Sequence, residues 1–107
     1  MMTVVTTTRL RPGAEQDWDT AVRQRFESAQ GRPGWVSGQL LTPEGEEHTR
    51  VLVGTWRSRD DWAAWHEDPD FLEQRTVLEQ LGAEPSTSQW YVVVADARAG
   101  DEGAETS

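Results

Sequence analysis

Apolar positions along the chain switch between an extended and a helical period, and the switches, with the turn signals between them, mark the elements. Thr3 to Leu10 is a β-branched run, with Val5 and Thr7 on one face and Val4, Thr6, Thr8 and Leu10 on the other. It reads as a strand covered on both sides, ended by Pro12-Gly13. From Ala14 to Gln30 the spacing turns helical: Ala14, Trp18, Ala21, Val22, Arg25 or Phe26, and Ala29 share a face. Glu15, Asp17 and Asp19 fall early, and Arg23 and Arg25 later, in the order the helix dipole favours. Gly31 and Pro33 stop this helix. Trp35 to Thr42 and His48 to Trp56 read as strands of an antiparallel hairpin, joined by Pro43-Glu44-Gly45-Glu46.

The period changes again at the densest aromatic stretch, Thr55 to His66. Ser58 followed by Asp61 has the spacing of a capping box, so a short helix is expected from Ser58 to about His66. Trp62 and Trp65 are then one helical turn apart and share a face, with Trp56 at the strand end beside them. Asp68-Pro69 is suited to start another helix, in which Phe71, Leu72, Arg75, Leu78 and Leu81 recur at helical spacing up to Gly82. Gln89 to Ala95, with three consecutive valines, reads as a last strand buried on both faces.

The order β-α-β-β-α(α)-β predicts an α+β, ferredoxin-like antiparallel sheet with its helices on one face. The other face still carries Val, Leu and Trp. Left bare it would be an adhesive apolar patch, so a second copy of the same sheet is the expected cover. One domain over 1–97 and a disordered acidic tail over 98–107 complete the expected organisation.

Composition narrows the function classes. With 10 basic and 19 acidic residues the formal charge is −9, which repels phosphate backbones and anionic lipid surfaces. Neither nucleic acid nor membrane is an expected partner. Having no cysteine, the chain has no disulfide, no thiol nucleophile and no thiolate metal site. A cytoplasmic location is expected, since nothing reads as a spanning or signal segment. The two histidines, His48 and His66, belong to no metal-ligand spacing, so no metal site is expected. Six tryptophans in 107 residues either fill a small core or wall an aromatic pocket.

The motifs Thr7-Thr8-Arg9-Leu10-Arg11-Pro12-Gly13, Arg32-Pro33-Gly34-Trp35 and Gly54-Thr55-Trp56-Arg57-Ser58 carry a resemblance. With Trp62, Trp65 and Asp70-Phe71 they resemble the antibiotic-biosynthesis-monooxygenase family of dimeric α+β barrels, over roughly residues 3–97. The resemblance implies a homodimer with a pocket between sheet and helices in each subunit. In the family, some members oxygenate aromatic polyketides with neither metal nor organic cofactor, and others bind and degrade haem.

Haem-degrading relatives have an Asn near the end of the first strand, a Trp after the third, and a His ten residues further on. Trp65 matches the Trp, but Thr8 stands for the Asn and Arg75 for the His. An arginine has no lone pair to give iron, which disfavours haem as cofactor. The resemblance therefore implies cofactor-independent oxidation of a small aromatic substrate. By position it points to Trp56 and Trp62 for substrate binding and to Trp65 and Arg75 for catalysis; Thr8 and Phe71 are taken with the substrate-binding residues, and His66, whose free pKa suits a general base, with the catalytic ones. The Asn that polyketide-oxidising relatives carry on the third strand falls near Leu52 and is absent.

Each assignment has a structural counterpart. Arg75 either snorkels at the core edge or supplies a pocket cation for an enolate or phenolate. His66 is a general base or a surface histidine at a helix end. Trp65 is a core ring or a pocket wall with an N–H donor. Non-catalytic binding of an aromatic metabolite, or a stress-response role, is the competing function.

Overall fold

The β-branched and aromatic runs form strands and the 3.6-periodic runs form helices, in the computed structural model, which describes residues 1–100. The order is β1 (Met2–Arg9), α1 (Glu15–Gln30), β2 (Trp35–Leu41), β3 (Thr49–Trp56), α2 (Arg59–His66), α3 (Pro69–Leu81) and β4 (Thr87–Val92). The strands make one antiparallel sheet in the order β2-β3-β1-β4. This is the ferredoxin-like arrangement expected, with the first strand at the centre. The expected disordered tail, 98–107, falls mostly on residues outside those described.

The local signals act as read. Ser58 caps α2 by accepting from the Asp61 amide at 3.2 Å, and its hydroxyl donates back to Asp61 Oδ2 at 2.9 Å. Asp68 caps α3 through the Asp70 amide, and Pro69 opens the helix. Gly31 ends α1 as its C-cap, as expected, and the left-handed turn follows three residues later at Gly34 (φ +84). A Cβ on Gly34 would lie 2.2 Å from the Asp61 carboxylate, so the glycine also lets the β2 entrance approach α2.

The last strand departs most from expectation. It spans Thr87–Val92 and lies at the sheet edge, and it is not buried on both faces. Tyr91, Val92 and Val94 are 47%, 69% and 96% exposed in the single chain. The reason is its place in the sheet: β4 pairs with β1 on one side only, and Tyr91, opposite Thr3, belongs to the face that no helix covers.

Register decides which side chains meet the helices. Val4, Gly54 and Trp90 lie side by side, as do Thr6, Leu52 and Ser88, and both rows face the helical layer. Val5, Val53 and Gln89 form a row on the opposite, uncovered face. Arg50 reaches from β3 to Asp19 of α1 at 2.9 Å, and Arg32 ties the end of α1 to the Asp68 cap at 3.1 Å. The core is divided into two clusters. One gathers Leu10, Trp18, Val22 and Leu78; the other gathers Ala29, Trp56, Trp65 and Phe71, with Trp35 and Trp62 against it. No helix among the described residues is long and apolar enough to cross a membrane.

Candidate functional site

Between the two clusters lies a cavity of about 840 Å³, roofed by all three helices and floored by the sheet. Its size is in the range of small-molecule sites. The floor is low where it matters. Gly54 has no side chain, and a Cβ there would meet only Val4 and Trp56, at 3.7 and 3.8 Å. Thr8, Trp56, Trp62, Trp65, His66, Phe71 and Arg75 all line this cavity. Trp35 and Trp90, which the sequence reading placed on strands without a role, line it too.

The aromatic wall is one interlocked group. Trp56 is 2% exposed and packs on Trp65 with ring centroids 5.4 Å apart, and Trp65 meets Phe71 edge-on at 4.6 Å. Trp62 meets Trp90 of the edge strand edge-on at 4.7 Å, and Arg59 covers Trp90 from outside. The indole N–H of Trp65 is directed at Ser28 Oγ of α1, 3.5 Å away. Trp65 is thus both a core ring and a wall, with its donor turned to the scaffold. Thr8 is buried and shares a 2.5 Å hydrogen bond with Ser86.

His66 is not a surface histidine. Its ring packs against Trp62 and Phe71, with centroids 3.6 and 4.0 Å away. Nδ1 lies 2.8 Å from the Trp62 carbonyl. A carbonyl only accepts, so Nδ1 carries the proton and Nε2 keeps the lone pair. Burial lowers the imidazole to about 4, the Trp62 carbonyl opposes this, and the charges of Arg25 and Arg75 add to the lowering. At neutral pH the ring is uncharged. His48, assigned no role from sequence, pairs with Glu15 at the start of α1 and is not among the cavity residues.

The two cavity arginines differ. Arg75 lies at the rim, its side chain 58% exposed and ion-paired with Glu79 one turn on, at 3.0 Å. Arg25 lies inside, its guanidinium 4.2 Å from the Phe71 ring centroid and 5.2 Å from that of Trp65. Its Nε is buried with no hydrogen-bond partner, and no carboxylate pairs with it among the described residues. Burial, and then the like charge of Arg75, lower it to about 10, which leaves it protonated. Sequence reasoning placed Arg25 or Phe26 on the apolar face of α1 and Arg25 in the order the dipole favours, but gave it no place in the site; an arginine in series with Trp18, Val22 and Ala29 was the available signal.

As a metal site the cavity fits poorly: no group of three His, Cys, Asp or Glu able to hold an ion occurs among the described residues. As a haem site it lacks a ligand where the resemblance puts one, since Arg75 stands there without a lone pair.

A ferredoxin-like sheet enclosing an aromatic cavity beneath three helices defines a class of small α+β domains. Within that class the match is specific. The family model of antibiotic biosynthesis monooxygenase matches residues 1–76, and the chain belongs to that family. Solved structures agree in fold. A Nitrosomonas europaea protein assigned to antibiotic biosynthesis monooxygenase is 21% identical, with TM-score 0.82, over 89% of this chain and 100% of that one. SnoaB, a cofactor-independent oxygenase from Streptomyces nogalater, is 20% identical, with TM-score 0.78, over 94% and 97%. A conserved protein from Methanosarcina mazei Go1 is 12% identical, with TM-score 0.80, over 84% and 89%. At these identities the likeness is one of fold. No curated protein matches the sequence.

Proposed function

We propose that the chain is a cofactor-independent monooxygenase that oxidises a small planar aromatic substrate, of anthrone or quinol type, with O2. The observation that carries this reading is the roughly 840 Å³ cavity walled by Trp35, Trp56, Trp62, Trp65, Trp90 and Phe71, with an uncharged His66 among them. Flat indole walls accept a flat apolar ring and exclude water, as an oxygen-reducing carbanion requires. Membership of the family and the SnoaB-like fold support it.

The substrate itself supplies the electrons. An anthrone methylene loses a proton, and His66 Nε2 is the neutral acceptor in the cavity. The carbanion passes one electron to O2, and the resulting pair recombines as a C–O bond. Protonation gives a hydroperoxide, which loses water to leave the carbonyl of a quinone. One CH2 becomes C=O, one O2 is consumed and one H2O is formed. Arg25 and Arg75 would stabilise the anion before electron transfer. In this reading the uncovered sheet face meets that of a second copy, giving a homodimer.

A second reading is retained on one observation. An imidazole at about 4 is a weak base for a carbon acid, which favours binding without turnover in the ligand-free electrostatics. Oxygen uptake by the purified protein with a panel of anthrones, naphthols and hydroquinones separates the two. The expected result is protein-dependent uptake with quinone formation, sharply reduced in Trp65→Phe and Arg75→Ala. Saturable tryptophan quenching without uptake across the panel would leave only the binding reading. Haemin added to the same samples is expected to give no Soret shift.

A further inference from the structure

The enclosed charged group of the cavity is Arg25, and among the described residues it has no counter-charge. The chain carries 19 acidic residues, so a carboxylate partner was cheaply available. The rim shows this directly. Arg75 is paired with Glu79, and Arg9, outside the cavity, lies 3.9 Å from Glu84. Of the two arginines that line the cavity, the enclosed one has no carboxylate and is held by the faces of Phe71 and Trp65. Ring faces offset part of the desolvation of a cation, but they leave its buried Nε–H without an acceptor. Burying a guanidinium without an acceptor is costly, and an apolar residue would fill that turn of α1 without this cost. The acceptor is therefore expected to arrive with the ligand.

We propose that the cavity takes an aromatic carboxylate, and that Arg25 is the residue that binds its carboxylate while the indoles hold its rings. The proposal rests on the aromatic-site reading above and narrows its substrate to aromatic acids. The planar guanidinium fork matches a carboxylate edge to edge, which an isolated phenolate oxygen does not. The charge is also present when needed, because Arg25 stays protonated at neutral pH even in its buried site. With its ring against Phe71, which also touches His66, the bound acid would lie beside the neutral imidazole. Its negative charge would offset the two arginine charges that hold that imidazole down. Carboxylate binding thereby makes His66 a stronger base, linking substrate class to the proton transfer.

Calorimetric titration at neutral pH with 2-naphthoate and with its neutral isostere 2-naphthamide tests this. Neither probe needs to be oxidised, so the outcome is independent of turnover. The acid is expected to bind about ten- to hundredfold more tightly than the amide, the size of a charge-assisted hydrogen-bonded pair. Arg25→Gln is expected to abolish that preference by weakening the acid alone. Arg25→Lys should retain part of it, and Arg9→Gln, outside the cavity, should leave it in place. Equal binding of acid and amide by the native protein, or no binding of either, overturns the proposal. So does a preference that survives Arg25→Gln. If Arg25→Gln does not fold, the native acid-to-amide ratio and Arg25→Lys still decide. Oxygen uptake with neutral substrates alongside equal probe binding would sink the carboxylate assignment and keep the oxygenase reading.

Discussion

Two side chains set the chemistry of the cavity, and each is governed by what surrounds it. Arg25 keeps its charge and lacks an acceptor; His66 keeps its lone pair and lacks a charge. The imidazole falls from 6.5 to about 4, first through burial and then through the nearby arginines, against the pull of the Trp62 carbonyl. With the folded value below the unfolded one, the unfolded chain takes up the proton first as pH falls. The stability tied to His66 is thus complete above pH 6.5 and lost progressively toward pH 4. His66→Gln keeps a donor for the Trp62 carbonyl but does not titrate. Denaturant midpoints at matched ionic strength should show the native protein losing more stability than this variant across that window. Parallel loss in both would mean the imidazole is not held neutral. The pattern of residues announced a histidine beside a tryptophan, but its tautomer and its acidity depend on rings from α2 and α3 that meet only on folding.

At the scale of elements, two glycines directly opposite each other on β2 and β3 have opposite purposes. A Cβ on Gly38 would lie 2.8 Å from the Phe26 ring, so this glycine lets α1 sit down on the sheet. Gly54 faces open cavity, where added atoms would meet only ordinary contacts. Gly38→Ala is expected to destabilise the fold by about 1–3 kcal/mol through overpacking. Gly54→Ala should be neutral or stabilising by up to about 1 kcal/mol, since it only restricts the unfolded chain. Thermal unfolding checks both. The same Gly54→Ala should weaken binding of any flat ligand, because its methyl enters the cavity floor. Destabilisation by Gly54→Ala comparable to that of Gly38→Ala would show that the floor is packed rather than open. Both glycines lie inside strand runs that read correctly from sequence, yet nothing local distinguishes the one filled by Phe26 from the one left empty.

For the whole molecule, the open sheet face is the unresolved surface of the single chain. Val5 and Val53 are half-buried there, while Tyr91 and Leu41 are about half exposed. Light scattering at micromolar protein is expected to give the mass of a dimer, and a monomer would show that this face is tolerated bare. What the amino-acid order determines is local. Periodicity and punctuation specify seven elements, both capping residues of the short helices, and the clustering of tryptophans at the β3–α2 corner. These depend on neighbours a few positions apart, so they are legible without a fold. Tertiary structure decides what no short window contains. It places β4 at the sheet edge, paired with β1 on one side only. It splits the core into two clusters with a cavity between them. It also turns Arg25, which in sequence is one more basic residue late in a helix, into the enclosed cation of that cavity. Its role follows from the rings of Phe71 and Trp65, some forty residues away along the chain and in contact only once α1 and α3 close over the sheet.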